Sequence, residues 1–176
     1  MRVIAGRFGG RTLHAPPGRA VRPTSDRVKE AIFSMLGPLD GAHVLDLFAG
    51  SGALGIEALS RGATAAVCVD IAPRAVVTIR ANADALGAEL TVSRRDAIAY
   101  LADAAARGLR YDLVFLDPPY AKAVDLGPAL SAALDPLLAP GARVVAESDR
   151  RAPLELTLPL RTERRYGDTL VRMHGE

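Results

Sequence analysis

Hydrophobic and polar positions alternate along this chain in two rhythms. Residues 44–48, 65–70, 89–93, 111–116 and 142–147 form short, nearly continuous apolar runs. Such runs predict strands covered on both faces, as in a parallel sheet. Between them apolar positions recur every three or four residues, the period of a helix with one buried face. Helices are predicted over 27–36, 53–59, 73–86, 97–107 and 126–138. In the first of these, Val28, Ala31, Ile32, Met35 and Leu36 share a face, Ser25 or Asp26 can cap the start, and Gly37-Pro38 ends it. Pro73 suits a first helical turn, and Gly62 and Gly87 stand where chains leave a helix.

The two ends break the strand–helix alternation. Residues 2–8 and 11–14 alternate around Gly9-Gly10 and predict a hairpin with arginines on its outer side. An extended linker follows over 19–25, restrained by Pro23. Near the C-terminus, 160–166 and 169–174 predict a second hairpin across Gly167-Asp168. The order predicts an α/β fold: a doubly wound, seven-stranded, mostly parallel sheet with an antiparallel last strand and helices on both faces. Residues 1–20 form an N-terminal arm and 21–176 the main domain.

Composition narrows the classes. The chain has 176 residues, 49% apolar, enough for one core. No apolar run is long enough to span a bilayer and no signal-peptide core opens the chain, so the expected location is the cytoplasm, with no membrane partner. Cys68 stands alone in an apolar run, which excludes an internal disulfide and predicts a small buried side chain. His14, His43 and His174 lack ligand spacing, so no metal site is expected, and a monomer is the default. The net charge of +2 is unevenly spread. Arg2, Arg7, Arg11, Arg19, Arg22, Arg27 and Lys29 crowd the start, and Arg150, Arg151, Arg161, Arg164, Arg165 and Arg172 the end. Arginine's planar fork suits phosphates, so the early cluster points to a polyanion.

The candidate chemistry lies where strands end. Asp46 is the one charge in the first run, and small residues from Ala49 to Gly52 follow it. Gly50, Gly52 and Gly55 spell G-x-G-x-x-G, and Asp70 stands where a ribose-binding acid would, a pattern that suits a dinucleotide. A carboxylate just before the turn suits instead a ligand with an ammonium group, such as S-adenosylmethionine; a pyrophosphate needs an electropositive site. Both cofactors stay open at this turn.

The second motif, Asp117-Pro118-Pro119-Tyr120, closes the fourth strand at the same edge of the sheet. Prolines lack an N–H and hold φ fixed, which leaves rigid carbonyl acceptors. With the Asp117 carboxylate they can hold an exocyclic amine by its hydrogens, and Tyr120 offers a ring for a base to stack on. Two acceptors turn the amine lone pair out of the base plane, and they stabilise the positive charge that develops there. A dehydrogenase has no use for this arrangement, so S-adenosylmethionine is the expected cofactor.

The glycine turn and this motif, together with Arg22-Pro23-Thr24-Ser25-Asp26-Arg27-Val28 and the run Gly50 to Gly62, resemble the RsmD family across nearly the whole chain. The resemblance implies a Rossmann-like class I methyltransferase fold. It implies methyl transfer from S-adenosylmethionine to N2 of a guanine in 16S ribosomal RNA, of the G966 type. The partner would be that RNA or a partly assembled small ribosomal subunit. Asp46, Phe48, Ala49, Gly50, Ser51 and Gly52 would line the methionine moiety, Asp70 the ribose and Ile71 the adenine. Asp96 and Ala97 would meet the adenine edge, although Asp96 is equally placed to cap the following helix. Asp117 and the Pro118 carbonyl, with Pro119 fixing the turn, would grip the guanine amine, and Tyr120 would stack on the base. Arg2, Arg7, Arg11, Arg22, Thr24 and Arg27 would meet RNA. The rivals are a DNA adenine-N6 methyltransferase, which can use the same motif, and a non-catalytic RNA-binding module. If the arm only docks RNA, removing residues 1–19 should abolish RNA methylation and spare cofactor affinity.

Overall fold

A computed structural model describes residues 1–17 and 25–175, with 120–125 described by backbone alone. Seven strands form one sheet in the order β3-β2-β1-β4-β5-β7-β6. They are β1 (His43–Leu47), β2 (Ala65–Val69), β3 (Thr91–Ser93), β4 (Tyr111–Leu116), β5 (Leu138–Asp149), β6 (Leu160–Tyr166) and β7 (Thr169–Gly175). β3, β2, β1, β4 and β5 pair in parallel, and β7 runs antiparallel between β5 and β6. The helices are α1 (Asp26–Leu36), α2 (Ala53–Ser60), α3 (Pro73–Leu86), α4 (Ala97–Ala106) and α5 (Tyr120–Leu134). No helix among the described residues is long and apolar enough to cross a membrane.

The strands alternate between two cores. Val44, Leu113, Phe115, Val145 and Val171 pack with Val28, Ile32, Phe33 and Leu36 of α1 and with Leu54 and Ala58 of α2. Leu45, Leu47, Val114, Leu116 and Val144 face the other way, against Tyr100 and Leu101 of α4 and Leu130 and Leu134 of α5. Both faces of the inner strands are therefore buried, which is why their sequences read as continuous apolar runs. Strand order reverses between β1 and β4, and the carboxyl ends on either side of that reversal are the usual ligand position in such sheets.

Some boundaries differ from the sequence expectation. Phe48 leaves β1 with φ 61°, so the strand ends at Leu47. The helix expected over 126–138 instead spans Tyr120–Leu134, passing Pro128, and gives way to a 3₁₀ turn at Asp135–Leu137. Pro136 has no N–H to continue an α-helix there. β5 starts before Pro140-Gly141 and carries the expected turn as an irregularity in its pairing with β4.

The N-terminal segment departs furthest from expectation. In place of a two-stranded hairpin, Arg2 and Thr12 form an isolated bridge, supported by Val3 N–H on the Arg11 carbonyl and Leu13 N–H on that of Met1. The loop is fastened to α2. Glu57 accepts the N–H groups of Ile4 at 2.7 Å and Ala5 at 3.1 Å, Lys29 Nζ at 3.1 Å and Arg61 Nε at 2.8 Å. Lys29 also donates to the Arg2 carbonyl, and both Lys29 and Glu57 are fully buried. A Cβ on Gly6 would lie 1.8 Å from the Ser60 carbonyl oxygen, so only glycine allows this approach. Val3 and Leu13 are buried in one cluster with Ala53 and Ile56 at the start of α2. Removing this arm would strip partners from buried charges on α2, so the packing is not that of a detachable RNA handle.

Breaking a buried ion pair on one side strands the other charge. Glu57→Gln is expected to cost about 3–5 kcal/mol in urea unfolding, and adding Lys29→Met should recover most of that loss. Equal stability of Glu57→Gln and the parent chain would refute the role of this staple.

Candidate active site

The turn after β1 is braced from three sides. Asp46, buried at the end of β1, accepts the Gly55 N–H through Oδ2 at 2.9 Å. Asp70, after β2, accepts Gly50 N–H through Oδ2 at 2.9 Å and Ala72 N–H through Oδ1 at 2.8 Å. Asn82 of α3 donates to the Ser51 carbonyl at 2.9 Å. Phe48 holds a left-handed backbone at the strand exit, a conformation that a bulky residue keeps only where its surroundings enforce it. A Cβ on Gly55 would fall 2.7 Å from Cys68 Sγ and 3.3 Å from Asp46 Oδ2, so glycine is needed for α2 to lie this close to β1 and β2. The bracing decides between the two cofactors. A dinucleotide's pyrophosphate would need the amides at the start of α2, and a carboxylate already occupies that position. An ammonium-bearing ligand gains from the same charge.

Carboxylates crowd this edge. Burial is the largest cause pushing the Asp46 carboxyl up to about 7; Asp70 adds to it, and the Gly55 and Cys68 hydrogen bonds oppose it. Burial also pushes Asp117 well above the usual carboxylate range, reinforced by Glu147 and then by Asp46. Strand alternation explains the grouping. Asp46 lies two positions after Val44, on the face toward α1 and α2. Asp117 comes two positions after Phe115 and Glu147 two after Val145, so strand alternation assigns them to that same face. β4 and β5 pair Leu116 with Ala146, and the next residues, Asp117 and Glu147, are near enough for Glu147 to raise the Asp117 carboxyl. Glu147 is buried and was not singled out from the sequence; its signal was an acid closing the fifth run, as Asp70 and Asp117 close theirs.

The other expected residues fall as follows. Asp96 caps α4, with Oδ1 accepting Ile98 and Ala99 N–H at 3.0 and 3.2 Å, and Ala97 is buried behind it. Ile71 is 64% exposed after β2, a free apolar surface for a flat ring. Ser51 turns its hydroxyl to Met1 Sδ at 3.2 Å, so it can offer the cleft only backbone. Pro118 is buried, and Pro119 is exposed and leads straight into α5. Tyr120 begins that helix, and its side chain lies outside the described residues, as do Arg22 and Thr24. Arg2 pairs with Asp26 at 3.3 Å, Arg11 donates to the Ala85 carbonyl at 3.1 Å, Arg7 lies over the Phe8 ring, and Arg27 is exposed. The late arginines are partly neutralised: Arg150 meets Asp168, and Arg165 and Arg172 share Glu163. Asp46, Asp70, Asp96 and Asp117 therefore meet along one edge, at the ends of four adjacent strands.

This strand order, with a glycine turn after β1 and an acidic motif after β4, defines a class I methyltransferase. A family model described as Conserved hypothetical protein 95 matches residues 1–175, and the chain belongs to that family, the RsmD family. It is 45% identical over 184 residues to YlbH of Bacillus subtilis strain 168, named as a candidate rRNA methyltransferase, covering 99% of this chain and 98% of that protein. It is 41% identical over 123 residues to ribosomal RNA small subunit methyltransferase D of Escherichia coli K12, a match spanning 68% of this chain and 60% of that protein. A solved structure from Thermus thermophilus, TTHA0928, superposes with a TM-score of 0.86 at 31% identity, covering 100% of this chain and 99% of that one.

The raised Asp46 carboxyl has two consequences of opposite sign. In the free protein its contribution to stability is present in acid and lost as pH rises through about 7, because folding favours the protonated form. A bound cation favours the carboxylate, so ammonium-bearing S-adenosylhomocysteine should bind roughly tenfold tighter at about pH 8 than at about pH 6. Calorimetry across this range checks it, and Asp46→Asn should flatten the dependence.

Proposed function

We propose that this chain transfers a methyl group from S-adenosylmethionine to the exocyclic N2 amine of a guanine in small-subunit ribosomal RNA, the G966 type of activity. The observation that carries the reading is the pair of acceptors at the ends of β4 and β5, Asp117 and Glu147, beside the braced glycine turn. The names of the relatives, rRNA methyltransferases, support the RNA substrate.

Guanine presents two neighbouring donors on its Watson–Crick edge, N1–H and the N2 amine. Adenine presents an acceptor at N1 beside its amine. Two adjacent carboxylates match the first edge and repel the second, which favours guanine over the DNA adenine alternative. Asp117 and the Pro118 carbonyl accept hydrogen bonds from the two amine hydrogens and turn the nitrogen lone pair out of the ring plane, and Asp117 receives the one proton the nitrogen loses as the methyl group arrives; Glu147 accepts a hydrogen bond from N1–H. S-adenosylmethionine, when bound, supplies an electrophilic methyl group. Asp46 holds its ammonium, and Asp70, with further lone pairs on each carboxylate oxygen, accepts its ribose hydroxyls. Ile71 packs on the adenine, Asp96 accepts from the adenine edge, and Phe48, Ala49, Gly50 and Gly52 form the wall of the pocket. Ionised Asp117 is the stronger acceptor and the base, so turnover rises with pH as that carboxyl loses its proton.

The target base must leave any helix to reach this edge, and Tyr120 stacks on it there. Arg2, Arg7, Arg11, Arg22, Thr24 and Arg27 contact the RNA, and the arginines' hold on its phosphates makes binding salt-dependent. The partner is 16S RNA, naked or within a partly assembled subunit, and the enzyme works as a cytoplasmic monomer.

Tritiated methyl transfer to small-subunit RNA lacking this modification, followed by nucleoside analysis, tests the reading. N2-methylguanosine is expected. Asp117→Ala should bind S-adenosylhomocysteine as the parent does and lose roughly a hundredfold or more in turnover. Label in N6-methyladenine, or full activity of Asp117→Ala, would overturn the assignment.

A further inference from the structure

Asn82 lies on α3, outside the acceptor pair, and only 1% of it is exposed. Its amide is fully used. Oδ1 accepts the His14 N–H at 2.9 Å, and Nδ2 donates to the His14 carbonyl and to the Ser51 carbonyl, each at 2.9 Å. One side chain thus joins the end of the N-terminal arm to the middle of the glycine turn. The start of the arm reaches the same residue, with Met1 Sδ 3.2 Å from Ser51 Oγ. Between these two ends, Val3 and Leu13 are buried in a cluster with Ala53 and Ile56 of α2.

The Ser51–Gly52 peptide is gripped at both of its polar groups. Its carbonyl receives the Asn82 amide, and its N–H donates to the Ala49 carbonyl at 2.7 Å. Asp70 holds the N–H of Gly50 just before it. Small residues leave such a turn free to flip, and a flipped peptide would aim a carbonyl dipole elsewhere. Asn82 is the only one of these three restraints that also binds the arm.

We propose that Asn82 is a positioning residue for methyl transfer, holding the cofactor turn in its binding geometry and making that geometry depend on the seated arm. The inference rests on reading the glycine turn as the S-adenosylmethionine site. Because linkage is reciprocal, whatever secures the arm tightens the cofactor, and a bound cofactor secures the arm. RNA engaged by the arm's arginines would act in the same direction.

The test compares calorimetric binding of S-adenosylhomocysteine, and KM and kcat for methyl transfer, in the full-length parent and in Asn82→Ala. Asn82→Ala is expected to weaken binding and raise KM for S-adenosylmethionine about tenfold, with kcat at saturation kept within about threefold. A residue that merely supports the fold would lower the melting temperature and leave this ratio unchanged, and that result overturns the proposal. Leu13→Ala carries a parallel test should Asn82→Ala fail to fold. It loosens the arm next to His14 and leaves Asn82 in place, so weakened S-adenosylhomocysteine binding supports the coupling and parent-like binding refutes it. A parent chain that does not bind S-adenosylhomocysteine at all would instead refute the cofactor reading of the turn.

Discussion

A single hydrogen bond organises the carboxyl edge of the sheet: the Asp46 carboxylate, buried near the end of β1, accepts the Gly55 N–H from the first turn of α2. Burying that charge opposes folding, and the helix amide offsets part of the cost. Several features follow from it. Gly55 has to be glycine, because any Cβ would strike Cys68 and crowd the carboxylate. The start of α2 becomes electronegative, which excludes a pyrophosphate and favours a cation. The turn between Asp46 and Gly55 is closed into a short loop, which Asp70 and Asn82 then brace from β2 and α3.

The second buried carboxylate, Glu57, lies on the same helix and does a different task. It gathers two backbone amides from the arm, the Lys29 ammonium and the Arg61 guanidinium, which also lies over the Phe33 ring. α2 is therefore held by one carboxylate toward the cleft and by another toward the arm. Its eight residues are all buried, which is possible because the arm covers the side that solvent would otherwise reach. The arm is a part of the main packing unit, with its arginines on the outside of a well-anchored loop.

The acceptor pair at Asp117 and Glu147 shows why such sites sit at strand ends. Burial raises the Asp117 carboxyl well above the usual range, and Glu147 on the next strand adds to that rise. A carboxyl raised in this way favours a ligand that brings donors or positive charge, the basis of the proposed selectivity.

Much of this was legible in the chain itself. Unbroken apolar runs at strand length, separated by helical periods, are enough to predict a doubly wound sheet, and β4 and the terminal hairpin fall where the pattern placed them. Asp70 and Asp117 could be placed at the carboxyl edge because an acid that follows an apolar run lies there whatever the tertiary details, and Asp46 stood out as the one charge within such a run. Glu147 obeys the same rule, but its partnership with Asp117 depends on the register of two strands that sequence order leaves apart. Lys29 and Glu57 looked like ordinary helix charges, since only three-dimensional packing brings a lysine of α1 under the arm. The arm's Gly9-Gly10 turn suggested a hairpin, yet its amides bond to Glu57 and Ser60 of α2 in place of a second strand. Local sequence determined the period of each element and the edge that carries the chemistry, because these depend on side-chain alternation alone. The tertiary structure decided which distant polar groups share a buried space, because a charge leaves water only where the whole fold supplies its partner.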